Sequence, residues 1–318
     1  MKIVVLDGRT LNSDPQAWAE LSRFGEVVYH DVSADDEVAA RAEGADVLVT
    51  NKCPIRAPLI EKLPALRFIA VTATGFDCVD IEAARARGIP VSNVPEYSTD
   101  SVAQVTFALL LELCHHVGLH AQAVRAGEWS RQVDFSMRKT PLIELAEKTM
   151  GIVGYGRIGR RVAEIARAFG MKTVAHRPSG KTGPPDGSLP TYGLDELFER
   201  ADVVSLHCPL TPETRGMVNR ERLRRSKPSA FLVNTARGAL VVEQDLADAL
   251  NAGEIAGAAL DVVTREPIEA DNPLLTAKNC LITPHNAWAT AEARARLLEA
   301  TFANIAAFAD GHPTHVVN

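Results

Sequence analysis

A chain of 318 residues is longer than one ordinary core requires and fits two domains at the usual ~150 residues each. Its 46% hydrophobic and 23% charged residues describe a globular protein, and a net charge of −6 gives it no general attraction to nucleic acid or acidic membranes. The one basic cluster (Arg220, Arg222, Arg224, Arg225 and Lys227) is short, adjoins Pro228 and reads as a solvated helix face.

Taken in order, the chain opens on an apolar strand with no basic-then-apolar leader before it. The five cysteines (Cys53, Cys78, Cys114, Cys208 and Cys280) are dispersed, with no Cys-x-x-Cys pair. Both features favour a reducing, cytoplasmic setting. Strands are expected at 2–6, 26–29, 47–50, 68–72 and 90–93, separated by helical stretches such as 35–42. Strand-helix alternation implies a mainly parallel sheet covered on both faces, with ligands at the carboxyl ends of its strands. The loops holding Asn51-Lys52 and Ala73-Thr74-Gly75-Phe76-Asp77 are therefore candidate site walls.

A long apolar helix begins near Asp100 and runs through Val105, Leu109, Leu110 and Leu113. The apolar run at 107–113 is far short of a membrane span. Residues 127–141 carry Trp129, Phe135 and Met137 without periodicity. Such aromatics mark either a partner subunit, hence a homodimer, or a loop folded back on its own domain. A second alternating region supplies strands at 150–153, 173–175, 203–207, 230–234, 258–261 and 280–283. The Gly- and Pro-rich segment 180–190 is expected to be a surface loop. The last helix, 291–309, places Leu297, Leu298, Phe302 and Ile305 on one stripe and is expected to pack back on the first region.

Gly154, Tyr155, Gly156, Arg157, Ile158 and Gly159 form a Gly-x-Gly-x-x-Gly turn. A strand precedes it, and a helix with Ile158, Val162, Ile165 and Phe169 on one face follows. That context makes the motif a strong sign of dinucleotide binding. Gly154 permits the tight turn, Gly156 the approach of a pyrophosphate, and Gly159 close helix-strand packing. The helix N-terminus then favours the phosphates. In NAD-selective sites an acid ~20 residues further on takes the ribose 2′-hydroxyl. Here Ala175-His176-Arg177-Pro178-Ser179-Gly180-Lys181 holds none. A cation in that region stabilises a 2′-phosphate, so NADP(H) is favoured. NAD(H) is the alternative if Arg177 only stacks on adenine.

Three later residues supply chemistry. Arg237 follows a strand, and its guanidinium fork suits a carboxylate. His285, in Thr283-Pro284-His285, suits a group that gives and regains one proton per turnover. Glu266, before Pro267, is a carboxylate that orients an imidazole when paired with it. His116 and His120 stand one helical turn apart but have no third ligand in sequence, so no metal is expected.

These residues carry a resemblance. The chain resembles the D-isomer-specific 2-hydroxyacid dehydrogenases over essentially its whole length. The matching pieces are the turn at 154–159, Leu206-His207-Cys208-Pro209-Leu210-Thr211 with Thr214, residues 234–238, Leu260-Asp261-Val262, Glu266-Pro267 and Pro284-His285. The resemblance implies Arg237 as the substrate grip, His285 as acid/base and Glu266 as its partner. It places Asp261 on the nicotinamide carboxamide and Val102 against the ring. His176 to Ser179, His207, Cys208, Pro209, Thr214, Thr235 and Ala236 fall along the cofactor. Thr74 and Gly75 form a backbone cradle for the substrate carboxylate, and Lys52 and Trp288 are candidate specificity residues. Thr50-Asn51-Lys52, Ala73-Thr74-Gly75-Phe76-Asp77, the segment from Val94 to Gln104 and His285-Asn286-Ala287-Trp288 are similar to the glycerate dehydrogenase and hydroxypyruvate reductase branch. Asn286 departs from the usual apolar residue there, and 177–190 lacks the branch's frequent aspartate at its start, its one acid being Asp186.

The implied fold is α/β, with two doubly wound parallel-sheet domains. A Rossmann cofactor domain at 100–288, carrying a dimerisation arm, is inserted into a flavodoxin-like substrate domain made of 1–99 and 289–318. The implied reaction is reduction of a small 2-oxo acid, hydroxypyruvate or glyoxylate, to the D-2-hydroxy acid by NADPH or NADH. Two rivals remain: a non-catalytic dinucleotide sensor or scaffold of the same fold, and a phosphoglycerate dehydrogenase-type enzyme.

Overall fold

The computed structural model describes residues 1–176 and 189–318, so Arg177, Pro178 and Ser179 lie outside the described residues. The chain forms two compact units, one from Met1–Ser98 with Ala289–Asn318 and the other from Thr99–Trp288.

The first unit is built on β1 (Lys2–Val5), β2 (Glu26–Tyr29), β3 (Val47–Thr50), β4 (Phe68–Val71) and β5 (Val91–Ser92). All pairs are parallel, in the order β2-β1-β3-β4-β5. Every residue of β3 and β4 is buried. Strands covered on both faces need continuous apolar runs, and Val-Leu-Val and Phe-Ile-Ala-Val supply them. Helices α1 (Val38–Arg41), α2 (Ala57–Glu61) and α3 (Ile81–Ala86) lie between the strands.

The terminal helix, Ala291–Ala309, belongs to this unit. Phe308 stacks on Phe68 with centroids 4.5 Å apart, and Phe302 meets Trp18 edge-on at 6.0 Å. Leu297, Phe302 and Ile305 are buried, each contributing about 1.5–3 kcal/mol of transfer free energy. One local expectation fails, and one element was not expected. The helix expected over 35–42 shrinks to α1, because Ala34 to Glu37 form a turn in which the Glu37 carboxylate accepts the Ala34 amide at 2.9 Å. Residues Pro15–Phe24 form a 3-10 helix capped by Asp14, with Trp18 and Leu21 buried. Its three-residue period escapes a search at 3.6.

The second unit carries β6 (Thr149–Val153), β7 (Lys172–His176), β8 (Val203–Leu206), β9 (Phe231–Asn234), β10 (Gly257–Leu260) and β11 (Cys280–Ile282). The sheet is parallel in the order β11-β10-β9-β8-β6-β7. A parallel bridge from Ala175 to Thr191 begins a further position beyond β7. The strand order reverses between β6 and β8, which is where an open sheet of this kind binds its ligand. One register row crosses the whole sheet: Ile282, Leu260, Asn234, Leu206, Val153 and His176 are successive partners. Residues just past that row share the sheet's carboxyl edge.

Helices α4 (Thr99–His115), α5 (Val117–Arg125), α6 (Arg157–Ala168), α7 (Leu194–Arg200), α8 (Arg220–Arg225) and α9 (Glu243–Ala252) complete the unit. Ala103, Phe107 and Leu110 of α4 share a core with Val162, Ala163 and Ala166 of α6 and Ile152 of β6. The basic cluster is matched by acids. Arg222 pairs with Asp195 at 2.8 Å, Arg225 with Glu199 at 3.0 Å, Arg224 with Glu254 at 3.3 Å, Lys227 with Asp202 at 2.8 Å, and Arg220 with Asp248. Its field is cancelled locally. Among the described residues no single helix is long and apolar enough to cross a membrane.

After α5 the chain has little regular structure apart from the 3-10 turn Trp129–Arg131. Val133 is 107% exposed and Phe135 87%, while the Trp129 indole donates to the Phe135 carbonyl at 3.0 Å.

Candidate active site

The glycine turn follows β6 directly. Gly154 has φ +96°, in the region that favours glycine, and a Cβ there would meet the Cys208 nitrogen and the His207 carbonyl carbon at 2.6 Å. A Cβ on Gly159 would strike the Gly154 carbonyl oxygen. Gly156 is different: a Cβ there would meet nothing within 4 Å. It is the N-cap of α6 and has no side-chain cap. Two glycines thus serve packing, and the third leaves clear space at a helix N-terminus. Open space beside backbone amides at the positive end of a helix fits a pyrophosphate. A dinucleotide therefore fits the residues present, with Gly154 to Gly159 as its phosphate cradle.

His176 ends β7. Its carbonyl accepts the Gly154 amide at 2.8 Å, and its Nδ1 lies 3.1 Å from the Tyr192 carbonyl. Past β8, the His207 amide donates to the Val153 carbonyl at 2.7 Å, and the His207 Nε2 sits 2.8 Å from the Ser205 hydroxyl. Burial pushes the His207 pKa down to about 3 and the Cys208 thiol up to about 11. At neutral pH the first is neutral and the second un-ionised, so neither competes as acid or nucleophile. Thr214 is buried. Its hydroxyl donates to the Pro209 carbonyl at 2.8 Å and accepts the Thr211 amide at 2.7 Å, fixing the 209–214 turn. Tyr155 is buried, and so is Val102 in the first turn of α4.

Arg237 follows β9 in a turn stitched by Asn234. The Asn234 side-chain oxygen accepts the Ala236 amide at 3.0 Å, and its amide group donates to the Arg237 carbonyl at 2.9 Å. Thr235 lies 3.1 Å from Thr106 of α4, hydroxyl to hydroxyl. The Arg237 guanidinium donates to the Ala236 carbonyl at 2.8 Å. A Cβ on Gly238 would collide with the Val263 backbone, so the arginine loop presses against the loop after β10. In that second loop, Val263 donates its amide to one Glu266 oxygen at 3.2 Å. The other Glu266 oxygen lies 2.6 Å from Nδ1 of His285. A contact of this length fixes the imidazole and leaves Nε2 as the ring nitrogen that Glu266 does not engage.

His285 itself stands at φ +51°, an uncommon conformation for a side-chain-bearing residue. Three backbone contacts hold it. Its amide donates to the Asp261 carbonyl at 2.8 Å and the Thr283 carbonyl at 3.0 Å. Its own carbonyl accepts the Trp288 indole at 3.0 Å. Asp261, 1% exposed, accepts the Thr283 hydroxyl at 2.6 Å, the Ala287 amide at 2.9 Å and the Asn286 amide at 3.0 Å. The Ser101 hydroxyl donates to the Ala287 carbonyl at 2.6 Å. Composition gave no hint of these supports: Asn234, Thr283 and Ser101 are ordinary polar residues until their partners are known.

In the first unit, Thr74 and Gly75 follow β4, with the Thr74 hydroxyl donating to the Val94 carbonyl at 2.9 Å. The exposed Lys52 follows β3.

Across the second unit's carboxyl edge, then, stand His285 after β11, Asp261 and Glu266 after β10, Arg237 after β9, His207 after β8 and the glycine turn after β6. With neighbouring strands ~4.8 Å apart, β9 and β11 end within about 10 Å of each other. Residues 107–287 match the family model described as D-isomer specific 2-hydroxyacid dehydrogenase, NAD binding domain. The chain belongs to the D-isomer specific 2-hydroxyacid dehydrogenases. Among the relatives of this family member is the hydroxypyruvate reductase of Blautia hydrogenotrophica, 49% identical over 321 residues and all of both chains. The glycerate dehydrogenase of Methylorubrum extorquens is 38% identical over 99% of this chain and 98% of its own. A solved structure of the NADPH-dependent glyoxylate/hydroxypyruvate reductase of Sinorhizobium meliloti, with NADP and malonate, has a TM-score of 0.87 and 30% identity. It covers 99% of this chain and 96% of that one. A nicotinamide dinucleotide is the cofactor of such a chain.

Proposed function

We propose that this 2-hydroxyacid dehydrogenase reduces hydroxypyruvate or glyoxylate to D-glycerate or glycolate. The carrying observation is the 2.6 Å contact between His285 and Glu266 on the same sheet edge as the glycine turn. Relatives named for hydroxypyruvate reduction and glycerate oxidation support the substrate class. When bound, a reduced nicotinamide supplies hydride to the 2-oxo carbon. Arg237 binds the substrate carboxylate through its fork. His285, held by Glu266, gives the Nε2 proton to the carbonyl oxygen and regains it from solvent. Asp261 keeps the histidine loop in place. Purified protein should consume NADPH absorbance when given hydroxypyruvate. Cofactor binding without turnover on hydroxypyruvate, glyoxylate or pyruvate would instead favour the sensor reading.

NADPH is the proposed preference over NADH. It rests on Arg177 and the absence of an acid from 175–181. Arg177→Asp should move the NADPH to NADH ratio of kcat/KM toward NADH by at least about tenfold, the loss of one charge-assisted phosphate contact. An unchanged ratio would show that Arg177 does not meet the 2′-phosphate.

A homodimer through α5 and the 127–141 arm is also proposed. Val117, Val124, Trp129, Val133 and Phe135 are exposed there, and large apolar side chains exposed along one segment suit a partner surface. Light scattering should give twice the 34.3 kDa chain mass, and Val133→Asp with Phe135→Asp should halve it. A monomeric wild type would refute the arm's role. The five free cysteines support the cytoplasm as its compartment.

A further inference from the structure

The first unit carries a buried carboxylate that the reaction above does not use. Asp7 follows β1 and heads the 3-10 turn Gly8–Thr10, yet its side chain makes no bond to that turn. An aspartate at such a position ordinarily caps the helix it precedes. Here the carboxylate, with the residue 8% exposed, turns to the loop after β3. One oxygen accepts the Asn51 amide at 2.8 Å. The other accepts the Lys52 amide at 2.6 Å and the Cys53 amide at 3.2 Å.

Three consecutive amides converging on one point make an anion-binding nest. It lies between β1 and β3, where the order β2-β1-β3-β4-β5 reverses and where a sheet of this topology binds ligands. The chain fills the nest with its own carboxylate, so this point is closed to an external anion. What remains exposed is the residue the nest presents, Lys52. Among the described residues no carboxylate forms an ion pair with its ammonium, although Lys52 is next to an acid in the nest. The same loop reaches the next strand end. The Asn51 side chain donates to the Thr72 carbonyl, and also to the Thr72 hydroxyl at 3.2 Å, two residues before Thr74.

We propose that Asp7 is a positioning residue for substrate recognition: it locks the 51–53 turn so that Lys52 presents its ammonium to the carboxylate of the 2-oxo acid. The inference rests on the proposed reduction of a 2-oxo acid. Lys52 adds binding that is equal in ground and transition states, so its loss appears in KM and not in kcat. Asp7→Asn preserves shape and one acceptor oxygen. It places an NH2 group against the amides that met the other oxygen, so the turn loses its lock while the core keeps its volume.

The test uses the full chain with NADPH and hydroxypyruvate. Wild-type turnover comes first; none on any 2-oxo acid would remove the reductase reading and this inference with it. Given turnover, Lys52→Met and Asp7→Asn should each raise the KM for hydroxypyruvate about tenfold, with kcat and the NADPH dissociation constant within about twofold. The double variant should be no worse than about twofold beyond the weaker single one, because both changes remove one interaction. A wild-type KM in Lys52→Met overturns the proposal, and because Lys52 is an exposed loop residue this arm does not depend on how Asp7→Asn folds. Additive KM effects, or an Asp7→Asn variant whose loss is confined to thermal stability, overturn it as well.

Discussion

His285→Ala should lower kcat with hydroxypyruvate by about a hundred- to ten-thousandfold, the span for removing a positioned general acid. The NADPH dissociation constant should stay near the wild-type value. The physical reason is the division of labour along the sheet edge. His285 sits after β11, whereas the glycine turn lies after β6, four strands away in the order β11-β10-β9-β8-β6. Removing the imidazole leaves Gly154 to Gly159 untouched. Glu266→Gln should cost less than His285→Ala, since it removes the partner of Nδ1 and not the acid itself. The double variant should resemble His285→Ala alone, because the pair, joined at 2.6 Å, acts as a unit. Fluorescence titration of NADPH beside steady-state kinetics checks both parts. A His285→Ala enzyme within about threefold of wild type would place the proton donor elsewhere, given the span above.

Arg237→Ala should reduce kcat/KM by about a hundred- to ten-thousandfold. The estimate comes from two charged hydrogen bonds of about 1.5–3 kcal/mol each, at 1.36 kcal/mol per tenfold. Arg237→Lys is the sharper variant. It keeps the charge but loses the planar fork, so it should recover only part of the deficit. Charge alone would make the lysine variant nearly normal. The turn itself should survive either change, because Asn234 holds it through the backbone of Ala236 and Arg237, not through the guanidinium. Near-normal kcat/KM in both variants would mean that the substrate carboxylate is held by other groups.

Much of this architecture is legible before any coordinates, for identifiable reasons. Strands buried on both faces write themselves as unbroken apolar runs, as in Val47 to Thr50 and Phe68 to Val71. The glycine turn is legible because its three glycines stand between a strand and an amphipathic helix. Space explains them: Gly154 and Gly159 have no room for a Cβ, and Gly156 has room for a ligand. The terminal helix is legible from its stripe of Leu297, Phe302 and Ile305.

What stays hidden is whatever depends on partners distant in the chain. Asp261 is recognisable as an acid after a strand. That its carboxylate accepts from Thr283, Asn286 and Ala287, 22 to 26 residues on, needs the parallel pairing of β10 with β11. Asp7 is the same case at a larger separation, since its partners are 44 to 46 residues away. The 3-10 helix Pro15–Phe24 is hidden for a local reason, its tighter period. The left-handed backbone of His285 is hidden too, because no glycine or asparagine marks it.

Chiral analysis of the product formed from hydroxypyruvate and NADPH by the wild-type chain probes the assembled site as a whole. The expected result is D-glycerate alone, in amounts equal to the NADPH consumed. Consumption of the cofactor without glycerate, or formation of L-glycerate, would contradict a site in which Arg237 and His285 fix one face of the 2-oxo acid.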